Sequence, residues 1–324
     1  MNRYEIPLST VWTRILPFVF LPVYGSGYIA GGLGLHTMRP FAMTFWRFAL
    51  AGIVVLVIVL VRRARWPRGW RQWWPILVVG LLIQVVQFGG NYTAMGLGMP
   101  AGLTSLIAGS SSLMIAIGAV PILHERLTGW RLAGVIIGFV GVAVALADHL
   151  GIPSGPVGVF AAFSAALGYA GGSLLQRRRL RDVDSWVSVG IQFLVAAPIT
   201  FVLAQFTGGV GIPLTAESLA PLAWLVLANS VLGMWLLGQM LRHHPAATLS
   251  AWSNLIPPFT VVLAVPFLGQ PLSLTLVVGV VVTLAGTALV VLPAPRRRSR
   301  DAAPPAHGSR EELVAASAAS RPEA

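Results

Sequence analysis

Residues 101–123 read AGLTSLIAGSSSLMIAIGAVPIL, and residues 246–268 read AATLSAWSNLIPPFTVVLAVPFL. A shift of 145 positions carries Ala101 onto Ala246, Ser105 onto Ser250, Pro121 onto Pro266 and Leu123 onto Leu268, with Pro100 and Pro245 in register just ahead. Each copy is apolar and long enough to cross the ~30 Å hydrocarbon core of a bilayer. Each is interrupted at its middle, by Ser110-Ser111-Ser112 in the first and by Leu255-Ile256-Pro257, with Pro258 next, in the second. A proline has no N–H for the carbonyl four residues back, so Pro257 and Pro258 free the carbonyls of Ser253 and Asn254. Paired interruptions at matching places in two halves of a chain point to a solute site at mid-membrane.

The rest of the composition agrees with a lipid solvent. Of 324 residues, 56% are hydrophobic and 10% charged, against roughly 25% charged in a soluble globule. The net charge of +12 sits in short arginine clusters between apolar runs. That is the pattern of loops on one side of a membrane rather than of a nucleic-acid surface, so the expected partners are the lipid bilayer and a small-molecule substrate, with no nucleic acid. There is no cysteine, which excludes disulfides, thiol catalysis and Cys-metal sites. There is no lysine either, which removes a P-loop lysine, and with it an ATP-driven pump, and any Schiff base. The adjacent His243-His244 pair faces two ways on a helix and has no third ligand near it in sequence, so no metal is expected, and no cofactor.

Ten spans of about 20 residues are expected, over 15–35, 41–61, 74–97, 101–123, 130–147, 155–176, 185–206, 218–241, 246–268 and 273–292. The first apolar run leads straight into a full span, without the short h-region of a cleaved signal. With the N-terminus in the cytosol, Arg3, Arg14, Arg62, Arg63, Arg65, Arg68, Arg71, Arg126, Arg131, Arg177, Arg178, Arg179, Arg181 and Arg242 all fall inside, and the outer loops hold Arg39 alone. The asymmetry places both termini in the cytoplasm.

The same shift of 145 pairs Tyr24 with Tyr169, Phe48 with Phe193, Ala51 with Ala196, Gln84 with Asn229, Gly134 with Gly279 and Gly141 with Gly286. One offset thus runs through five spans. Five is odd, so the two halves lie in opposite orientations, as an inverted repeat. The expected fold is an all-α polytopic membrane protein of ten transmembrane helices in two inverted five-helix repeats. Its parts are a cytosolic segment at 1–14, repeats at 15–147 and 155–292, and a basic tail at 293–324, whose composition of Ala, Pro, Ser, Arg and Glu reads as disordered.

Tyr24-Gly25-Ser26, Pro40 with Arg47-Phe48, Met99-Pro100-Ala101 and Glu125-Arg126-Leu127 resemble, in this order, the EamA-type members of the drug/metabolite transporter superfamily. The resemblance covers residues 15 to 292. It implies ten spans, two inverted halves, a central pocket, and export of amino acids or other small metabolites across a bacterial inner membrane. The chain departs from the family pattern at Tyr24, where Trp is frequent, and at His124-Glu125 and Gly269-Gln270, where Gly-Glu is frequent. Gln270 leaves no acid at its position. The resemblance fixes no particular solute.

Several polar side chains fall inside the spans. Gln84, Gln87 and Asn91 form a stripe about 60° wide on an ideal helix. They either line a cavity or bond to a neighbouring helix. Tyr24 and Tyr169 are repeat mates beside small residues that permit close helix approach. Gly25, Gly27 and Ala30 match a dinucleotide fingerprint, but no βαβ unit surrounds them. Trp252, Ser253 and Asn254 precede the double proline and offer an indole and a carboxamide beside freed carbonyls. The expected solute contacts are therefore Tyr24, Gln84, Gln87, Asn91, Ser111, Tyr169, Asn229, Trp252 and Asn254, around a pocket without charge. Pro257, Pro258 and Arg47 are assigned gate or structural roles. Arg47 is the one charge well inside a span, about 9 Å from the outer end of its helix. It either meets an anion near an external gate or caps carbonyls of neighbouring helices. No Asp, Glu or His falls at a span midpoint. Proton-coupled carriers keep ionisable groups there, so exchange or downhill export is expected. The same absence argues against catalysis in the membrane, leaving a lipid-moving or purely structural role as the alternative.

Overall fold

The apolar runs form ten helices in a computed structural model that describes residues 8–125, 127–147, 153–244 and 246–291. They are α1 (Leu8–Leu35), α2 (Pro40–Val61), α3 (Trp70–Gly96), α4 in two pieces (Ala101–Gly109 and Ser111–Leu123) and α5 (Gly129–Ala147). The second half continues with α6 (Gly155–Arg179), α7 (Ser185–Phe206), α8 (Ala216–His243), α9 in two pieces (Ala246–Asn254 and Ile256–Leu268) and α10 (Leu274–Val291). All ten are long and apolar enough to cross a membrane. Phe160, Phe206 and Leu274 lie 75%, 84% and 78% exposed on the outside of the bundle, a liability in water and the correct surface for lipid. The expectations for residues 1–7, Arg126, Asp148, His149, Pro245 and the tail from 292 onward fall outside the described residues.

The duplication is visible in the element bounds. α2 and α7 begin and end 145 positions apart, as do the two pieces of α4 and α9. The breaks fall on matching residues, Ser110 and Leu255, with φ/ψ of −64°/−12° and −82°/−8°. Pro257 sits in the first turn of the second piece of α9, where a missing N–H costs least. Both spans end on a matched left-handed residue, His124 and Gly269, and the next residues, Glu125 and Gln270, bond back to the carbonyls of Ala119 and Ala264.

The inversion is visible in the contacts. A two-fold axis makes residue i meet the mate of j while j meets the mate of i. Gly134, Gly138 and Gly141 line one face of α5, and Gly279, Thr283 and Gly286 hold the matching places on α10. A Cβ on Gly134 would stand 2.7 Å from the Gly286 carbonyl, and one on Gly141 would stand 2.8 Å from the Gly279 carbonyl. Between these two crossings, Thr283 donates to the carbonyl of its own mate, Gly138, at 3.3 Å. A second pair of mates, Phe48 and Phe193, stacks with ring centroids 5.5 Å apart at 15° where α2 packs on α7. The pseudo-axis passes through both pairs. Glycine permits the first crossing because packing between membrane helices relies on close backbone approach, lipid supplying no hydrophobic drive.

Cross-helix bonds confirm which ends share a side. Arg39 donates to the Thr207 carbonyl, Trp46 Nε1 to the Val210 carbonyl, and the Ala101 N–H to Gln270 Oε1 at 3.0 Å. At the opposite end, Arg177 pairs with Glu125 at 3.4 Å, and His244 Nε2 lies 3.0 Å from the Thr13 carbonyl. The arginine clusters at 62–71 and 177–181 gather at this second end.

Candidate functional site

Two helices widen where sequence periodicity gives no warning. Gly80–Gln87 within α3 and Leu225–Leu232 within α8 are π-helical turns, again 145 positions apart. Such turns open the i→i−4 ladder and recur at functional sites. Ser230 marks one by donating its hydroxyl to the Leu225 carbonyl five residues back, at 2.9 Å. Gln84 lies in the first turn and Asn229 in the second.

Arg47 of α2 reaches the second turn. Its Nε donates to Ser230 Oγ at 3.0 Å, one terminal nitrogen to the Tyr92 hydroxyl at 2.5 Å, and the other to Asn229 Oδ1 at 2.7 Å. The guanidinium carbon lies 4.2 Å from the centroid of Phe88 and 5.6 Å from that of Phe48. Asn229 passes the chain of bonds onward by donating to the Val23 carbonyl at 3.0 Å, held against Gly27, where a Cβ would overlap its amide. Arg47, Tyr92 and Ser230 are 3%, 3% and 4% exposed. Of the two roles open to Arg47 from sequence, carbonyl capping is not what is observed, because its partners are two hydroxyls and a carboxamide. Arg47 also brings a charge to Asn229, one of the residues expected to line an uncharged pocket. A guanidinium cannot shed its proton in a protein, so the charge is permanent.

The repeat mates of Arg47 and Asn229 are Gln192 and Gln84, and these too are bonded. Gln84 Nε2 donates to Gln192 Oε1 at 3.2 Å, and Gln192 Nε2 donates to Ser188 Oγ at 3.1 Å. The α2–α8 contact is thus repeated as an α7–α3 contact, once with a charge and once without.

Four of the five tyrosines meet in this region. Tyr24 and Tyr28 on α1, Tyr92 on α3 and Tyr169 on α6 stand within electrostatic reach of one another or of Arg47. Tyr28 also meets the Asn91 amide. The Tyr24 hydroxyl donates to the Gly233 carbonyl at 3.2 Å. The mates Tyr24 and Tyr169 stand within electrostatic reach of each other. Three acceptors on the third helix stay buried with no hydrogen-bond partner: Gln84 Oε1, Gln87 Oε1 and Asn91 Oδ1.

The candidates drawn from sequence therefore separate into groups. Asn229 bonds Arg47, Tyr24 stands within its electrostatic reach, Asn91 is buried one residue before Tyr92, and Tyr169 is exposed on α6. Gln84, inside the first π turn, bonds Gln192 on α7. Gln87 stands at the end of that turn. Ser111 is buried at the break in α4, and the residue two before it, Gly109, abuts Pro257. Pro258 lies half-buried beside that contact. Trp252 packs edge-on against Phe18, with centroids 4.9 Å apart, toward the arginine-rich end of α1, and Asn254 is half-buried at the end of its helix piece. Sequence reasoning missed Tyr28, Tyr92 and Ser230. The one signal for Ser230 and Tyr92 was the pairing of Gln84 with Asn229, which marks the turns that carry or precede them; Tyr28 on α1 had none.

These features define a polytopic membrane protein built as an inverted pair of five-helix units around a buried polar centre. The EamA-like transporter family matches residues 13–147 and again 156–292, and the chain belongs to that family. It is 28% identical over 280 residues to the uncharacterized transporter YvbV of Bacillus subtilis (strain 168), spanning 86% of this chain and 91% of that protein. It is 25% identical over 284 residues to a probable amino-acid metabolite efflux pump of Escherichia coli (strain K12), spanning 84% and 92%. A solved structure described only as "Crystal structure of protein" superposes with a TM-score of 0.62 at 20% identity, over 86% of this chain and 96% of that one, which shows the fold alone.

Proposed function

We propose that the chain is a secondary transporter that exports small neutral or zwitterionic metabolites, amino acids foremost, by alternating access. One observation carries this reading. A polar network of buried Arg47, Tyr92 and Ser230 with half-buried Asn229 joins helices of the two inverted halves, with the half-buried Tyr24 and its exposed mate Tyr169 within electrostatic reach of each other, where rocking one half against the other would expose it to either side. The aromatic faces suit aromatic and flat solutes. The export direction and the amino-acid class draw on the similarity to the efflux pump of Escherichia coli. The arginine-rich end is assigned to the cytoplasm, with both termini there. A helical bundle, as opposed to a barrel, suits the inner membrane.

The test is counterflow in proteoliposomes with the purified full chain. Vesicles preloaded with unlabelled phenylalanine are expected to accumulate labelled phenylalanine faster than empty ones. No described span carries an Asp, Glu or His at its middle, so an imposed pH gradient is expected to leave that rate unchanged. Rates equal to protein-free vesicles for every amino acid tried would refute the reading.

A further inference from the structure

We infer that Arg47 is the anchor for a substrate carboxylate, so that the solute must carry one. This rests on the transport reading above and narrows it. The molecule contains its own control. Gln84 and Gln192 hold α3 to α7 at the symmetry-related position with a neutral bond of 3.2 Å. Packing of this junction therefore does not require a charge, yet α2 carries one. A cation held inside a bilayer is costly. No carboxylate repays that cost: each of the three partners of Arg47 is neutral, and the one acid on a described span, Glu217, stands in the first turn of α8.

The guanidinium keeps donors for such a partner. The three bonds use three of the five guanidinium N–H groups, leaving one on each terminal nitrogen, the pair that matches the two oxygens of a carboxylate. Ser230, Tyr92 and Asn229 fix the plane of the fork, and the Phe88 face lies on it at 4.2 Å. The complementary end is present as well. Asn91 Oδ1 and Gln87 Oε1 are buried acceptors without partners on α3, the helix whose Tyr92 and Phe88 touch the guanidinium. Fixed donors for a carboxylate and unpaired acceptors for an ammonium describe a site for an α-amino acid zwitterion.

The experiment measures ligand-induced thermal stabilisation of the detergent-solubilised full chain with three probes: phenylalanine, phenylpyruvate and phenylalaninamide. Phenylalanine is expected to stabilise most, phenylpyruvate next, and the amide, which lacks the carboxylate, not at all. Arg47→Gln copies the neutral twin and is expected to fold while weakening the phenylalanine response about 10- to 100-fold. Equal stabilisation by phenylalanine and its amide would overturn the anchor and leave the transport reading standing. A response to phenylpyruvate alone would keep the anchor and remove the amino-acid class. An unchanged phenylalanine response in Arg47→Gln, or no wild-type response to either carboxylate, overturns the assignment. The wild-type comparison holds even where the variant does not fold.

Discussion

Gly286→Leu is expected to abolish the folded protein. A Cβ at this position would meet the Gly134 carbonyl oxygen and the Gly138 Cα, both at 2.6 Å, and the Gly138 nitrogen closer still. All three atoms are backbone, so no side chain can swing away. α5 and α10 would have to separate along the seam where close backbone approach supplies their attraction. Overpacking typically costs ~1–3 kcal/mol and occasionally more, and with rigid backbone atoms on both sides a cost above that range is expected. The measurement is the monodisperse peak in size-exclusion chromatography together with the thermal transition, both of which should be lost. Gly238→Leu on α8 is the control, since a Cβ there meets nothing within 4 Å, and it should behave as wild type.

Asn229→Ala is expected to lower flux at least tenfold while its twin variant, Gln84→Ala, has a smaller effect. The alanine removes the acceptor of one Arg47 bond, at 2.7 Å, and the donor to the Val23 carbonyl, at 3.0 Å. A hydrogen bond to a charged group contributes ~1.5–3 kcal/mol, and a neutral one ~0.5–1.5 kcal/mol. Gln84→Ala removes one neutral bond, to Gln192. Counterflow rates and thermal midpoints of the two variants, measured side by side, read the difference that the charge makes at otherwise equivalent positions. Equal losses in both would mean that the charge at Arg47 adds nothing to its junction.

Much of this architecture is written in the chain because lipid constrains composition strongly. The ten spans follow from apolar length, and the inverted repeat follows from one offset, since an odd number of spans per copy forces inversion. The matched breaks at Ser110 and Leu255 were legible as a serine run and a proline pair. The glycine face of α5 and α10 was legible only as matched residues; that mates meet crosswise about an axis is a tertiary fact. The π turns were not legible, because they are a choice of hydrogen-bond register that no residue in GLLIQVVQ or LVLANSVL dictates. Those turns hold Gln84 and the Ser230 that bonds Arg47. A lone Tyr92 or Ser230 makes no pattern in sequence. Arg47 stood out as the one charge within a span, but its role depends on partners from α3 and α8, 45 to 183 positions away.

The central claim is that the space between Tyr24 and Tyr169 is a solute site open in turn to each side of the membrane. The chain has no cysteine, so Tyr169→Cys provides a single reporter there, at a residue 40% exposed. The decisive measurement is its labelling by a membrane-impermeant maleimide in right-side-out and in inverted vesicles. The account predicts reaction from both sides and protection by phenylalanine. Labelling only by a lipid-soluble maleimide, with no protection, would place Tyr169 against the bilayer and contradict it.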